Sequence, residues 1–476
     1  MPGQDDGKEQ GDPSEDYREF RRMIDGIGQE GLRRIIEHVT GVLRAHPDDT
    51  EALAARALAY SELGDHRRAA EDNGRIIALE PGNVDAYFAR ASAYAELGEH
   101  GPAVEDYSAA IRLAPGNATA HCSRGGCNAE LGNMAEAVSD FDVAILLAPN
   151  DADAHYNRGL TYLAMGEPLR AVEDLGRAID LDPRLTEAYY HRGDAYRDLG
   201  EMERALADFG AAIEIEANYG LAYYARGITN LNLIRYDDAL RDFDAVLELD
   251  PDSASALRGR GVALGGLGRN EEAVRDLNRS LEIDPDNGET LMARGLAYTS
   301  LGQHDQAVAD YTRVLDLDAG NTAVLYSRGM AQMHLGRYES GVEDFSAILG
   351  IDADNAAAHM ARGFAREVLG EYREAVEDYD RLTELTPDDP MAHHMRGCAH
   401  ARLGEPLRAV GDFGRAIALD PDDIESLRSR AILYMELGEP SKAVLDYDEV
   451  LRLDPDDLSA RLERETAVEE AEAGNH

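Results

Sequence analysis

The chain has 476 residues and a formal net charge of −46 at pH 7, from 93 acidic and 47 basic side chains. This excess of negative charge argues against nucleic acids and anionic membrane surfaces as partners, and it favours neutral or basic proteins. Hydrophobic residues make up 44% of the sequence, which is enough for a packed core and argues against a disordered chain.

The N-terminal segment, residues 1–15, is polar and acidic and contains no apolar stretch. We expect a disordered tail there and no secretory signal. No apolar run in the sequence has the length of a membrane span. Three cysteines, Cys122, Cys127 and Cys398, are too few for a disulfide framework. Together these features predict a cytoplasmic protein.

Residues 16–49 predict an incomplete helical hairpin that caps the N-terminal end of a helical array. It contains two apolar stripes with helical spacing. The first stripe is Tyr17, Phe20, Ile24 and Ile27, and the second is Leu32, Ile35, Ile36, Val39 and Leu43.

From residue 50 onward, the dipeptide Leu-Gly recurs on a 34-residue spacing, first with Gly64 and last with Gly438, and Met165-Gly166 and Leu233-Ile234 occupy the two steps that lack it. Prolines recur in phase with it, as at Pro115. Each period predicts two helices, since the glycine ends the first helix and the proline stops the second. We therefore expect twelve units over 50–457, followed by a C-terminal capping helix over 458–476.

Within one period, residues 84–117, the pattern resembles the tetratricopeptide repeat, W-x2-L-G-x2-Y, A-x3-F and P. The matching residues are Tyr87, Ala91, Tyr94, Ala103, Tyr107 and Pro115. The resemblance implies an all-α fold, a right-handed superhelical solenoid of helix-turn-helix hairpins. It also implies a concave groove that is lined by the first helix of each hairpin.

One departure from the family pattern is systematic. The leucine position holds arginine in every unit, from Arg56 to Arg430, and an aspartate follows sixteen residues later, from Asp72 to Asp446. A row of ligand-binding cations is one interpretation. Folding each hairpin at its Leu-Gly turn brings the arginine and the aspartate to the same level on facing helices. We favour a structural Arg–carboxylate pair inside each hairpin, because an unpaired charge there would cost free energy.

The resemblance implies that the fifth, ninth and twelfth residues of each first helix face the groove, and we call this surface the first-helix face. From the fourth unit onward it is apolar and aromatic. The tyrosine patch consists of Tyr156, Leu160, Leu163, Tyr190, Tyr224, Ile228 and Leu231. The methionine patch consists of Met292, Leu296, Tyr326, Met330, Met333, Met360 and Phe364.

Exposed apolar patches of this extent usually mark interaction sites, and Tyr and Met are adaptable anchors. The alternative is that some of these side chains pack between adjacent first helices. The Lys, Arg and Asn clamp that some members of the family use for a C-terminal carboxylate is not present. We therefore expect a protein or peptide partner with apolar side chains and basic flanks.

Residues His394 and Cys398 have a spacing that would suit two metal ligands. However, the neighbouring His393 fills a position that holds histidine in several units, which favours a packing role and no metal site. No arrangement of residues suggests catalysis or a cofactor. We predict a non-catalytic scaffold or adaptor; a self-assembling structural protein and an accessory subunit of an enzyme complex remain alternatives. The partner and the oligomeric state do not follow from the sequence.

Overall fold

The computed structural model describes residues 27–473, and every regular element in this range is an α-helix. In chain order these are α1 (Gln29–Ala45), α2 (Thr50–Glu62), α3 (His66–Leu79), α4 (Val84–Glu96), α5 (His100–Leu113), α6 (Ala118–Glu130), α7 (Met134–Leu147), α8 (Ala152–Ala164), α9 (Pro168–Leu181), α10 (Thr186–Asp198), α11 (Met202–Ile215), α12 (Gly220–Asn232), α13 (Tyr236–Leu249), α14 (Ala254–Gly266), α15 (Asn270–Ile283), α16 (Gly288–Ser300), α17 (His304–Leu317), α18 (Thr322–His334), α19 (Tyr338–Ile351), α20 (Ala356–Leu369), α21 (Tyr372–Leu385), α22 (Pro390–Leu403), α23 (Pro406–Leu419), α24 (Ile424–Glu436), α25 (Pro440–Leu453) and α26 (Leu458–Ala473).

Between α2 and α25 the even-numbered helices are the first helices of the repeats and the odd-numbered ones are the second helices. The chain forms two compact units, which divide between Leu233 and Ile234, and consecutive helices pack together within each unit. The predicted all-α repeat solenoid is confirmed. The expected tail over 1–15, residues 16–26 of the expected N-terminal cap and residues 474–476 of the expected C-terminal capping helix lie outside the described residues. No helix between residues 27 and 473 is long and apolar enough to cross a bilayer.

The ends of the first helices follow from local side-chain and backbone chemistry. At the start of α4, the Asn83 side chain accepts a hydrogen bond from the Ala86 amide at 2.9 Å, which satisfies one of the open donors of the first turn. At its end, Gly98 adopts a left-handed backbone with φ +73°, and the Glu99 amide donates to the Tyr94 carbonyl. Ile234 adopts the same left-handed conformation, with φ +60°, without being glycine.

From the second hairpin onward, the core of each hairpin within one unit contains an aromatic or leucine side chain of the second helix, placed against a small residue of the first. Phe209 of α11 is 0% exposed and lies against Gly193 of α10. A Cβ atom on Gly193 would lie 2.7 Å from Phe209 Cε1, so even alanine would force a shift there. The small residue at this position of the repeat is therefore required by packing.

The predicted Arg–Asp pairs are confirmed in every hairpin that lies within one unit. Arg158 is representative: Nε lies 2.7 Å from Asp174 Oδ2 and Nη2 lies 2.7 Å from Asp174 Oδ1. Asp174 is 5% exposed, and this two-point geometry satisfies both of its oxygens. The arginines are thus structural and are not free to bind a ligand.

Eight of these arginines also reach the second helix that precedes their own hairpin, a contact that was not predicted from the sequence. Arg158 Nη1 donates to Asp142 Oδ1 at 2.5 Å, so that a single guanidinium joins α8, α9 and α7. Equivalent Nη1 acceptors, sixteen residues before each arginine, are Thr40, Ser108, Asp244, Asn278, Thr312, Ser346 and Asp380. The arginine therefore connects consecutive repeats as well as the two helices of its own hairpin.

Candidate partner-binding face

The residues of both patches lie on first helices, and their spacing of four and three residues brings them to one side of each helix. Those of the tyrosine patch come from α8, α10 and α12, and those of the methionine patch come from α16, α18 and α20. Leu296, Met360 and Phe364 are exposed, at 48%, 36% and 45%. All the other members of both patches are half-buried. The sequence-based patches are thus partly accessible, and their role in binding stays a prediction.

Tyr190 occupies the middle of the tyrosine patch. Its ring centroid lies 5.9 Å from that of the buried Phe209, with the two rings tilted. The Tyr219 ring packs against it edge to face, with 5.6 Å between centroids. His191 lies 5.0 Å from Tyr190 and 6.0 Å from Tyr156. Tyr156 and Tyr190 therefore belong to one continuous aromatic cluster, which spreads from α8 to the start of α12 and holds the rings in fixed orientations.

Two members of this cluster, His191 and Tyr219, were not among the predicted site residues. Tyr219 precedes α12 at the position where Asn83 caps α4, and its side chain makes no capping hydrogen bond. A tyrosine in place of a capping residue is the feature of the sequence that could have identified Tyr219 as a member of the cluster. Burial raises the pKa of Tyr219 to about 12, and burial lowers the pKa of His191, so both groups are neutral at physiological pH.

One carboxylate interrupts the apolar surface of the tyrosine patch. Asp194 stands at the ninth position of α10, which contacts both α8 and α12. Its side chain is only 22% exposed, and Oδ1 lies 2.8 Å from Arg197 Nη2. Burial raises the pKa of Asp194, and the nearby Arg197 and His191 oppose that effect. The patch therefore presents a partly buried ion pair among tyrosine and leucine side chains.

The methionine patch divides into two kinds of side chain. Met292, Met330 and Met333 pack against the buried core of the neighbouring hairpins, and Tyr326 lies 5.6 Å from the buried Phe345 ring. Much of the surface of these four side chains is therefore buried by packing between helices, as the alternative interpretation expected. The exposed members are the part of this patch that is most open to a partner.

The His394 and Cys398 pair forms a small hydrogen-bonded group. Cys398 Sγ lies 3.5 Å from His394 Nε2, and His394 Nδ1 lies 2.7 Å from Ser426 Oγ. Burial raises the pKa of the Cys398 thiol to about 11, so the sulfur stays protonated near neutral pH. Within residues 27–473, no group of three or more His, Cys, Asp or Glu side chains is placed to hold a metal ion.

Comparisons with known proteins agree with this architecture. Three models of the tetratricopeptide repeat match the sequence. The first matches residues 54–118, 89–155, 224–288, 292–357, 360–424 and 394–458, the second 152–185 and the third 186–219. No curated protein matches the chain.

Several solved structures are similar to the chain. A chain in the crystal structure of the APC/C hetero-tetramer Cut9–Hcn1 is 16% identical to this chain, with a TM-score of 0.37 over 96% of each chain. YrrB, described as a TPR protein with an unusual peptide-binding site, is 26% identical with a TM-score of 0.35, over 40% of this chain and 97% of YrrB. MamA from Desulfovibrio magneticus RS-1 is 24% identical with a TM-score of 0.34, over 36% of this chain and 96% of MamA.

Arrays of this repeat generally serve as scaffolds for protein interaction, and their fold is typically non-catalytic. The repeat models cover more than half of the sequence, at the same 34-residue spacing that places the helices. The chain therefore belongs to the tetratricopeptide repeat family.

Proposed function

We propose that the chain is a non-catalytic scaffold that holds a segment of a partner protein on its first-helix face, through the tyrosine patch and the methionine patch. The observation that carries this proposal is the half-exposure of Leu296 and Phe364, two large apolar side chains at the ninth position of their helices. Exposed apolar surface of this kind is usually a site of interaction.

The fold itself does not require an apolar residue at the ninth position. Other repeats hold Ser92, Gly126 and Asp194 there and form the same hairpin. Packing instead depends on the small residue at the eighth position and the arginine at the seventh. Leu296 and Phe364 are therefore free of a structural constraint, which supports a role in recognition.

The chemistry of the partner follows from charge. With a net charge of −46, the scaffold attracts basic segments, does not repel neutral ones, and repels nucleic acids and anionic membranes. We propose an apolar segment with basic flanks as the ligand. Cys122, Cys127 and Cys398 are free thiols, which suits a reducing compartment, and we assign the protein to the cytoplasm.

The test is affinity capture with three forms of the full chain. One variant carries Tyr156→Ala, Tyr190→Ala and Tyr224→Ala, and a second carries Leu296→Gln and Phe364→Gln, at exposed positions where little stability is lost. The matched control replaces two exposed leucines of second helices, Leu146→Ala and Leu169→Ala, which are 79% and 67% exposed.

We expect the control to capture the same proteins as the wild type, and each patch variant to lose at least one of them. Direct binding of each lost protein to the purified chain then checks that the contact is immediate. If both patch variants capture the same set as the wild type, the proposed face is wrong. If the wild type captures only copies of itself, the self-assembling alternative replaces this proposal, and light scattering at several concentrations would show it.

A further inference from the structure

A cavity of about 300 Å³ opens on the first-helix face of the first two repeats, outside both patches. It lies between α2, α3 and α4, all within one compact unit. Its lining residues are Ala54, Ala57, Leu58, Ser61, Glu62, His66, Ala69, Asn73, Phe88, Ala89, Ser92 and Glu96. No function was predicted for this region from the sequence.

Small side chains create the space. Ala54 stands at the fifth position of α2, where later repeats carry the large rings of Tyr156 and Tyr190. On the opposite side, the Phe88 ring is held edge to face against Tyr107, with 5.3 Å between centroids. Since that contact fixes Phe88, the cavity is a preformed feature with an apolar wall.

The charges around this cavity are all of one sign. Glu62 and Glu96 are the last residues of α2 and α4, and both line the cavity near the ends of their helices. Within residues 27–473 neither carboxylate makes a hydrogen bond or an ion pair, and no Lys or Arg lines the cavity. The Nδ1 atom of His66 is buried and also lacks a hydrogen-bond partner among the described residues.

We infer that this cavity binds a lysine side chain of the partner segment, with its aliphatic stem along Leu58 and Phe88 and its ammonium group between Glu62 and Glu96. The inference rests on the proposed function and adds a specific anchor to it. The apolar wall suits the methylene groups, and the unpaired carboxylates supply the opposite charge. An ammonium near the Phe88 ring would gain a further cation–π attraction.

Two small probes with the same stem isolate the charge: N-acetyl-lysine N-methylamide and its norleucine counterpart. Both are titrated at fixed ionic strength against the full chain and followed by ligand-observed NMR. We expect the lysine probe to bind about threefold more tightly than the norleucine probe, as for an ammonium group paired with the exposed carboxylates of Glu62 and Glu96. Equal affinity of the two probes would overturn the inference, and so would the absence of binding.

Three variants complete the experiment. Glu62→Gln with Glu96→Gln should reduce lysine binding to the norleucine level, and Ala54→Tyr should fill the cavity and abolish binding of both probes. The control, Glu71→Gln with Glu105→Gln, removes two charges from second helices and should change nothing. Undiminished lysine binding in the first variant, or an equal loss in the control, would contradict the assignment. The patch variants of the capture experiment leave this cavity intact, so failure of either proposal is recognised separately.

Discussion

Both carboxylate oxygens of Asp208 accept a hydrogen bond from Arg192, at 2.7 Å from Nε to Oδ2 and at 2.7 Å from Nη2 to Oδ1. Asp208 is 6% exposed, and the hydrogen bond and the charge of Asp208 raise the pKa of Arg192 despite its burial. The pair joins α10 to α11. Loss of one partner would leave the other charge buried without compensation.

Truncation of this arginine tests the structural role of the repeated pair. We expect Arg192→Ala to lower the free energy of unfolding by about 3 kcal/mol, because Asp208 would remain buried and unpaired. Arg204→Ala removes an arginine from an exposed pair with Glu201 and should cost no more than about 0.5 kcal/mol. Urea denaturation followed by circular dichroism measures both. Similar losses for the two variants would show that the buried pair adds no stability.

A glycine in α9 marks a position where the arginine lacks its third hydrogen bond. A Cβ atom on Gly176 would lie 3.5 Å from Arg192 Nη1, in ordinary contact. We expect Gly176→Ser to raise the free energy of unfolding by about 1 kcal/mol, from helix propensity and a new hydrogen bond. Gly411→Ser, where a side chain would meet nothing, controls for propensity alone. Equal gains for the two would exclude the hydrogen bond.

Ile234 replaces the glycine that ends the first helix in other repeats. Its φ of +60° is unfavourable for a β-branched side chain, and the residue is 70% exposed, so little packing depends on it. We expect Ile234→Gly to stabilise the chain by about 1 kcal/mol. The reciprocal change, Gly132→Ala, should destabilise it by a similar amount. The thermal unfolding midpoints of both variants measure these effects. A lower midpoint for Ile234→Gly than for the wild type would show that the positive φ of Ile234 does not destabilise the chain.

Asp194 should make stability depend on pH in a defined direction. Because burial raises its pKa in the folded chain, the folded state binds the proton more tightly than the unfolded state does. This carboxyl group therefore reduces stability increasingly as pH rises above its unfolded value of about 3.9. We expect Asp194→Asn to stabilise the chain more at pH 7 than at pH 4. Destabilisation at pH 7 would mean that the Arg197 pair outweighs burial.

The raised pKa of Cys398 predicts slow alkylation. With a thiol pKa of about 11, the thiolate fraction at pH 8 is small, and reaction with iodoacetamide should be about 100-fold slower than in the unfolded chain. Mass spectrometry of Cys398 peptides, with and without urea, measures the ratio. Rapid reaction in the folded chain would indicate an ionised sulfur and would contradict the raised pKa of Cys398.

Much of the fold could be predicted because the repeat imposes a single rule on many residues. The period places Gly98 and its equivalents at helix ends, and hairpin geometry brings Arg158 to Asp174 across the turn. The site was less predictable. Whether Met330 is half-buried or Phe364 exposed depends on the size of side chains on neighbouring helices, which a single-helix pattern does not include. The cavity at Ala54 and the aromatic contacts of Tyr219 arise from departures from the pattern, which no averaged repeat describes.

The Nη1 hydrogen bonds imply that the junctions between repeats differ in strength. Where glycine occupies the acceptor position, at Gly74, Gly176 and Gly414, the arginine lacks that bond within the described chain. In a linear array, local opening begins at the weakest junction between neighbours. Amide hydrogen exchange should therefore reveal separate cooperative blocks of repeats, whose borders coincide with these glycines.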